Sequence, residues 1–199
     1  MYRGNSSRLF PMIIVLIVIA IAIAALVSAG KAIFGGDKGN TAQTDAGQTA
    51  LLNTAAGNSV RMTVRGPIVA DEDFRSYRIS VDASGRNLST YSGYISQIID
   101  SKQLDNNTKA YEQFVYALDK ADMMKGTALT GAADDTRGIC ATGRVYEFEV
   151  LQGGMVVKRL WTSTCRGSGG SFKGSVDQVS KLFLDQIPNS KALLKPIDL

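Results

Sequence analysis

Histidine is absent from all 199 residues of this sequence. It is the commonest general base near neutral pH and a frequent metal ligand, so its absence excludes several chemistries. A Ser-His-Asp triad, a Cys-His nucleophile pair and histidine-ligated zinc all require it. We therefore expect no catalytic residue of these types, no cofactor and no metal site.

A strong excess of positive charge is missing as well. The whole chain carries +4, and from Ser59 onward 18 Lys and Arg oppose 16 Asp and Glu, which leaves +2. Proteins that bind nucleic acid through its phosphates need clustered cations. The sequence therefore predicts no nucleic-acid partner.

One long run lacks charge altogether. Leu9 to Gly30 comprises 22 uncharged, mostly apolar residues, and at about 1.5 Å per residue such a helix spans the roughly 30 Å hydrocarbon core of a bilayer. We expect a single transmembrane helix at 9–30 after a short tail at 1–8. Arg3 and Arg8 precede it without any acidic residue, which favours a cytoplasmic N-terminus and an extracytoplasmic C-terminal part.

A cleaved signal peptide is the alternative interpretation of this run. Val27-Ser28-Ala29 offers small or short side chains where a signal peptidase cleaves. The run is longer than the usual apolar core of a signal peptide, about 7 to 15 residues. Retention as a signal anchor is favoured, and cleavage after Ala29 stays open.

Small residues recur on one face of the predicted span. Ala20, Ala24 and Ser28 are spaced four residues apart, and small residues at this spacing let two membrane helices approach closely. The alternative is the general abundance of alanine in membrane helices. Both interpretations remain open.

Residues 31–58 are rich in Gly, Ala, Thr, Asn and Gln. Such a segment buries little apolar surface and is expected to be a flexible tether. Leu51 and Leu52 are the exception, and they allow a short helix around Thr49 to Ala56.

A folded domain is predicted at 59–199. Apolar and polar residues alternate over Val60 to Arg65 and over Tyr77 to Val81, which is the period of half-buried strands. A turn-rich segment at 82–87 then leads to Leu88–Tyr91, so the second and third runs indicate a hairpin.

Helical spacing begins near Thr108, where an apolar stripe follows Asn106 or Asn107 as the candidate N-cap. A weaker, shorter helix is expected over Ser92 to Ser101. The last helix is expected to begin at the N-cap Ser175 and to end near Pro188. Together these elements predict an α+β fold, with a small antiparallel sheet and two or three helices.

Two cysteines flank a predicted hairpin. Cys140 and Cys165 lie at mirrored distances from the turn at Gln152-Gly153-Gly154. Buried free thiols and a metal pair are the alternatives, but two thiolates without histidine make a poor zinc site. A disulfide downstream of a membrane span is favoured, and it places the domain outside the cytoplasm.

The same turn predicts which hairpin residues share a face. One face should carry both cysteines and an apolar set, namely Tyr146, Phe148, Val150, Met155, Val157 and Trp161. The other should carry Glu147 and Glu149 opposite Lys158. A half-buried antiparallel hairpin has this division.

Acidic residues cluster at Asp71-Glu72-Asp73 and at Asp134-Asp135. Neither cluster has the alternate-position spacing of a calcium loop, so both are interpreted as solvated loop charges. We expect a binding or scaffolding module of the cell envelope. An envelope hydrolase or transferase that uses carboxylates such as Asp71 and Asp73 is the alternative.

Four segments together resemble membrane-anchored proteins of Saccharibacteria-type candidate-phyla bacteria, which are ultrasmall and depend on a host. These segments are Lys31–Gly36 after the apolar run, Arg65–Ala70, Arg137–Gly143 and Trp161–Cys165. The resemblance covers most of the chain. It implies an envelope location and contact with a host cell, and it carries over no activity and no catalytic residue.

The apolar run gives a direct test of anchoring. We expect the intact chain to stay in the membrane fraction after an alkaline carbonate wash, because a 22-residue apolar helix is held by the bilayer core. Immunoblotting of both fractions measures this. A soluble product whose N-terminus is Gly30 would show a cleaved signal peptide instead.

Overall fold

The computed structural model describes residues 46–199, apart from Ile95 and Ser168. The predicted span at 9–30 and its small-residue face lie outside these residues. Among the residues that are described, no helix has both the length and the apolar character needed to cross a membrane.

Six antiparallel strands form one sheet in the order β4-β3-β2-β1-β5-β6. The strands are β1 (Asn58–Arg65), β2 (Arg75–Asp82), β3 (Gly85–Ser92), β4 (Gln97–Asp105), β5 (Val145–Gln152) and β6 (Met155–Ser163). The first four form a meander, and β5 then returns to pair with β1. The antiparallel sheet, its helices and the disulfide confirm the predicted α+β class.

The described helices are α1 (Ala46–Leu51), α2 (Thr108–Lys120), α3 (Val176–Asp185) and α4 (Ser190–Leu194). Short 3-10 helices occur at Asp71–Asp73, Gly131–Asp134 and Lys195–Ile197. The expected N-caps of the two longer helices are confirmed. The Asn107 side chain accepts from the Ala110 amide, and the Ser175 hydroxyl accepts from the Gln178 amide.

One face of the sheet carries the main core. Val60, Met62 and Val64 alternate along β1 and are buried, and Met62 pairs with Phe148 of β5. The apolar stripes of α2 and α3 cover this face and meet where Phe114 packs edge-on against Phe183, with ring centres 5.3 Å apart. The opposite face, called here the polar face, carries the alternate residues of each strand.

The expected helix over Ser92 to Ser101 is wrong. This segment is a turn followed by strand β4, which pairs with β3. Gly93 adopts a φ of +71° in the turn, a conformation that glycine enters without steric penalty. Hairpin pairing with β3 therefore overrides the weak local helical spacing.

A bulge in the β5–β6 hairpin overturns the expected division of its faces. Val150 pairs with Lys158, whereas Leu151 pairs with Val156, so one extra residue enters β6 between these pairs. A shift by one residue moves every later side chain to the other face. Trp161 therefore pairs with Glu147 on the polar face, and Lys158 lies on the core face.

The displaced residues have new partners. Lys158 is buried, and its amine donates to the carbonyl of Met124 at 2.9 Å. Arg159 takes the expected place of Lys158, because it pairs with Glu149 across the hairpin. Met155 and Val157, expected on the buried face, are 75% and 42% exposed.

Helix α1 lies within the segment interpreted as a tether, yet it belongs to the core. Ala50 and Leu51 are buried in the main apolar cluster, whereas the next residue, Leu52, is only half-buried. The main chain of the helix packs closely on β6, since any Cβ on Gly47 would overlap the Lys158 side chain. The folded part of the chain thus begins before the Ser59 boundary drawn from the sequence.

A shortened side chain at Leu51 tests the place of α1 in the core. We expect Leu51→Ala to lower the free energy of unfolding by about 2 to 5 kcal/mol, because it leaves a cavity at a fully enclosed position. Leu52→Ala is the matched control and should cost clearly less. Urea unfolding followed by fluorescence of the single tryptophan, Trp161, measures both, and equal losses would contradict the burial of α1.

Candidate functional site

A cleft opens at the end of the sheet where β1 finishes and β5 begins. The pairing of Arg65 with both Ser76 and Val145 brings the ends of three strands together there. The cleft has a volume of about 240 Å³. Its apolar lining consists of Ile68, Phe74, Tyr94, Ile139 and Val145. Arg65, Thr136 and Arg137 supply its polar lining, and we call this the end cleft.

One wall of the end cleft is an aromatic stack. The rings of Phe74 and Tyr94 lie 4.1 Å apart and nearly parallel. The Tyr94 hydroxyl donates to the Val69 carbonyl at 2.8 Å and accepts from the Val69 amide at 3.1 Å. These bonds fasten the loop after β1 to the turn between β3 and β4, so the wall is held in place without a ligand.

The disulfide supports the opposite wall. Cys140 and Cys165 are bonded, which confirms the expected pairing. They pack with Val145 and Trp161 in a second, smaller apolar cluster on the polar face. The cysteines therefore share a face with Trp161, as expected, but not with Tyr146 and Phe148. Next to Cys140, the carbonyl of Ala141 accepts from the Ile68 amide at 2.9 Å. This hydrogen bond joins the two walls.

Arg65 is the half-buried cation of the end cleft. Its guanidinium donates to Glu147 at 2.7 Å and also to the Thr136 hydroxyl, which in turn donates to Glu147 at 3.1 Å. The Nε atom of Arg65 is buried and has no hydrogen-bond partner among the described residues. Leaving such a donor unpaired costs about 1 to 3 kcal/mol. The Arg65 side chain, which is 27% exposed, also belongs to the lining of the end cleft.

Arg137 lies at the rim and is strongly exposed. Its guanidinium binds the carboxylate of Asp135 at 2.6 Å. The side-chain hydrogen bond from Arg137 is the main cause that lowers the pKa of Asp135 to about 2. Asp135 thus stays ionised at neutral pH and is unsuited to act as a general acid there.

Two further acidic candidates from the sequence, Asp71 and Asp134, have structural partners. Asp71, in the 3-10 helix Asp71–Asp73, accepts from the Tyr94 amide at 2.7 Å. Asp134 binds Arg159 at 2.8 Å. None of these carboxylates is among the residues that line the end cleft. Over the described part of the chain, no three acidic or thiol groups are arranged to hold a metal ion.

The sequence contained a partial signal for the cation of the cleft. Arg61 and Arg65 lie four residues apart in β1, and Glu147 and Glu149 lie two apart in β5, so each pair occupies one face of its strand. The structure joins Arg61 to Glu149, directly opposite, at 2.5 Å, and Arg65 to Glu147, one diagonal step away, at 2.7 Å. Opposite charges on facing strand surfaces favour pairing of the two strands. This signal does not predict the apolar loops that make a cleft beside Arg65.

No family model matches this chain, and a search of curated proteins finds no significant match.

The disulfide prediction concerns stability. Replacing Cys140→Ser together with Cys165→Ser should lower the free energy of unfolding by about 2 to 4 kcal/mol, because the bond closes a loop in the unfolded chain. Urea unfolding with and without reductant measures this. Reductant should weaken the wild-type chain and leave the double variant unchanged; a wild-type chain with two free thiols by intact mass would refute the bond.

Proposed function

We propose that the chain is a membrane-anchored, extracytoplasmic binding or scaffolding module of the cell envelope, and that the end cleft is where its ligand binds. The apolar lining of the end cleft beside the half-buried guanidinium of Arg65 is the observation that carries the proposal. Clefts of this composition, with a few polar groups in an apolar surface, are typical of ligand sites. The ligand then presents an oxygen to Arg65 and an apolar group to the surrounding walls.

The composition of the cleft supports binding more than catalysis. Its walls are mainly aliphatic and aromatic side chains, with a few polar groups at one side, as is usual for sites that bind small ligands or segments of chain. An envelope hydrolase or transferase would need two carboxylates that face one substrate. Asp71 instead binds the Tyr94 amide, and neither Asp71 nor Asp73 lines the end cleft.

The anchor and the resemblance supply the location of the proposed module. The uncharged run at 9–30 supports a single span, and the disulfide supports an oxidising compartment. The resemblance to proteins of host-dependent bacteria extends the proposal to a ligand on a host-cell surface. A protein in the envelope is the other partner that fits this location.

Photo-crosslinking in cells that express the full-length chain tests the site. A photoreactive amino acid at Ile68, on the wall of the end cleft, should give a discrete adduct that mass spectrometry can identify. The same amino acid at Met155, exposed at the opposite end of the sheet, is the positional control. Identical adducts at both positions, or none at Ile68, would refute the site.

A pair of arginine variants tests the role of Arg65 in binding. Arg65→Gln and Arg61→Gln each remove one Arg–Glu bridge to β5, but only Arg65 lines the cleft. We expect Arg65→Gln to reduce the Ile68 adduct by about tenfold, the equivalent of one charged hydrogen bond. Arg61→Gln should leave the adduct nearly unchanged, and an equal loss in both variants would mean that only folding was affected.

A further inference from the structure

The two edges of the sheet differ in how they are covered. At the β6 edge, the Trp161 amide donates to the Ser171 hydroxyl at 3.0 Å, and the Trp161 carbonyl accepts from the Phe172 amide at 3.0 Å. The chain approaches this edge so closely that a Cβ on Gly170 would overlap the Trp161 carbonyl. The outward backbone groups of β6 are therefore occupied at Trp161.

Strand β4 forms the other edge, and seven of its nine residues are exposed. Ile98 and Ile99 are 62% and 46% exposed. Long edge strands that expose apolar residues pair readily with another strand. The open edge of this sheet is thus β4.

The backbone orientation of β4 follows from its bonds to β3. The carbonyls of Asp100 and Lys102 accept from the side chains of Thr90 and Asn87, so these carbonyls face β3. Backbone groups alternate in direction along a strand. The amide and carbonyl of Ser101 therefore point outward, and the Ser101 amide donates to the Asp100 carboxylate at 2.7 Å.

We propose that two copies of this chain pair through β4, antiparallel, around a two-fold axis at Ser101. In this arrangement each Ser101 amide donates to the Ser101 carbonyl of the other copy. In the single chain the Asp100 carboxylate accepts from the Ser101 amide. In the pair this hydrogen bond is given up. The two sheets become one continuous sheet, with the helices of both copies on the same face.

Charge complementarity selects this register. An axis at Ser101 places Asp100 of each copy opposite Lys102 of the other, which gives two ion pairs on the same face of the joined sheet. An axis one residue earlier places the two Asp100 carboxylates opposite each other, and an axis one residue later does the same with the two Lys102 amines. Opposite charges at facing positions stabilise a strand pair and like charges destabilise it.

The same register covers exposed apolar surface. Strand β4 bulges at Ile99, where its pairing with β3 shifts between Ile98 and Asp100, so the regular pairing runs from Asp100 to Lys102 and brings Ile98 and Ile99 next to Gln103 and Leu104 of the other copy. In the single chain, Lys102 donates to the Pro188 carbonyl at 3.0 Å, a bond that the ion pair with Asp100 replaces. The interface is isologous, since the same residues contribute from each side.

Crosslinking of the full-length chain tests the proposed axis. With Ser101→Cys, a short bismaleimide should give a covalent dimer on a denaturing gel, because the axis places the two substituted positions side by side. Tyr116→Cys on α2 and Met155→Cys at the end of β6 are exposed controls. Equal dimer yields at all three positions would overturn the proposal.

Charge reversal tests the register. In the Ser101→Cys background, Asp100→Lys or Lys102→Asp alone places two like-charged pairs across the axis, and dimer yield should fall by about tenfold or more. Both changes in one chain restore opposite charges and should restore the yield. A mixture of the two single variants should also crosslink, each with the other.

The comparison separates pairing through β4 from other associations of the chain. Any contact between predicted spans is the same in all variants, because none of them alters residues 9–30. Recovery in the double variant also rules out misfolding as the cause of the single-variant loss. Unchanged crosslinking in Asp100→Lys, or no recovery in the double variant, would overturn the register.

Discussion

The pairing of β1 with β5 is the constraint on which the rest of the structure depends. The meander of β1 to β4 and the hairpin of β5 and β6 are each formed by neighbouring segments of the chain, and this one pairing joins them. It brings Met62 against Phe148 on the core face and Arg61 against Glu149 on the polar face. Glu149 is only 7% exposed, and a buried carboxylate without its cation would be strongly destabilising. A one-residue slip would turn the glutamates into the core, so the charges fix the register.

The end cleft follows from this pairing. Because Arg65 is the last residue of β1 and pairs with Val145, the first of β5, the loops that leave both strands must diverge at the same point. The loop after β1 is held by the hydrogen bond from Tyr94 to Val69. The loop before β5 is held by the hydrogen bonds of Thr136 with Arg65 and Glu147. The space between them is apolar because the segments nearest the strands contribute Ile68 and Ile139. Arg65 is therefore a structural cation that also lines the cleft.

Much of the fold was predictable because its local patterns agree with its tertiary contacts. Alternation located β1 and β2, the turn-rich segment after β2 located β3, and apolar stripes with polar caps located α2 and α3. Strand β4 was missed because an edge strand with both faces exposed shows no alternation. The short helix allowed at Thr49 to Ala56 was placed too late, because α1 is only six residues long and buries only small residues beside Leu51.

The hairpin shows a different limit of sequence analysis. The two strands and their turn are where the pattern places them, yet a single extra residue in β6 exchanges Lys158 and Arg159 between faces. A bulge leaves no signal in alternation, since both registers bury some apolar residues. The end cleft was out of reach for a related reason. Arg65, Val145 and Tyr94 are distant in sequence, and only the strand order brings them to one end.

The difference between the two sheet edges determines how far association through β4 can proceed. A sheet with two open edges adds copies at both and grows into a fibre. Here the outward groups of Trp161 on β6 are already bonded to Ser171 and Phe172. A two-fold contact at Ser101 uses the open edge of both copies at once, and the edges that remain are two β6 strands covered at Trp161. In the proposed dimer, further growth would have to use β6, where the backbone groups of Trp161 are already occupied.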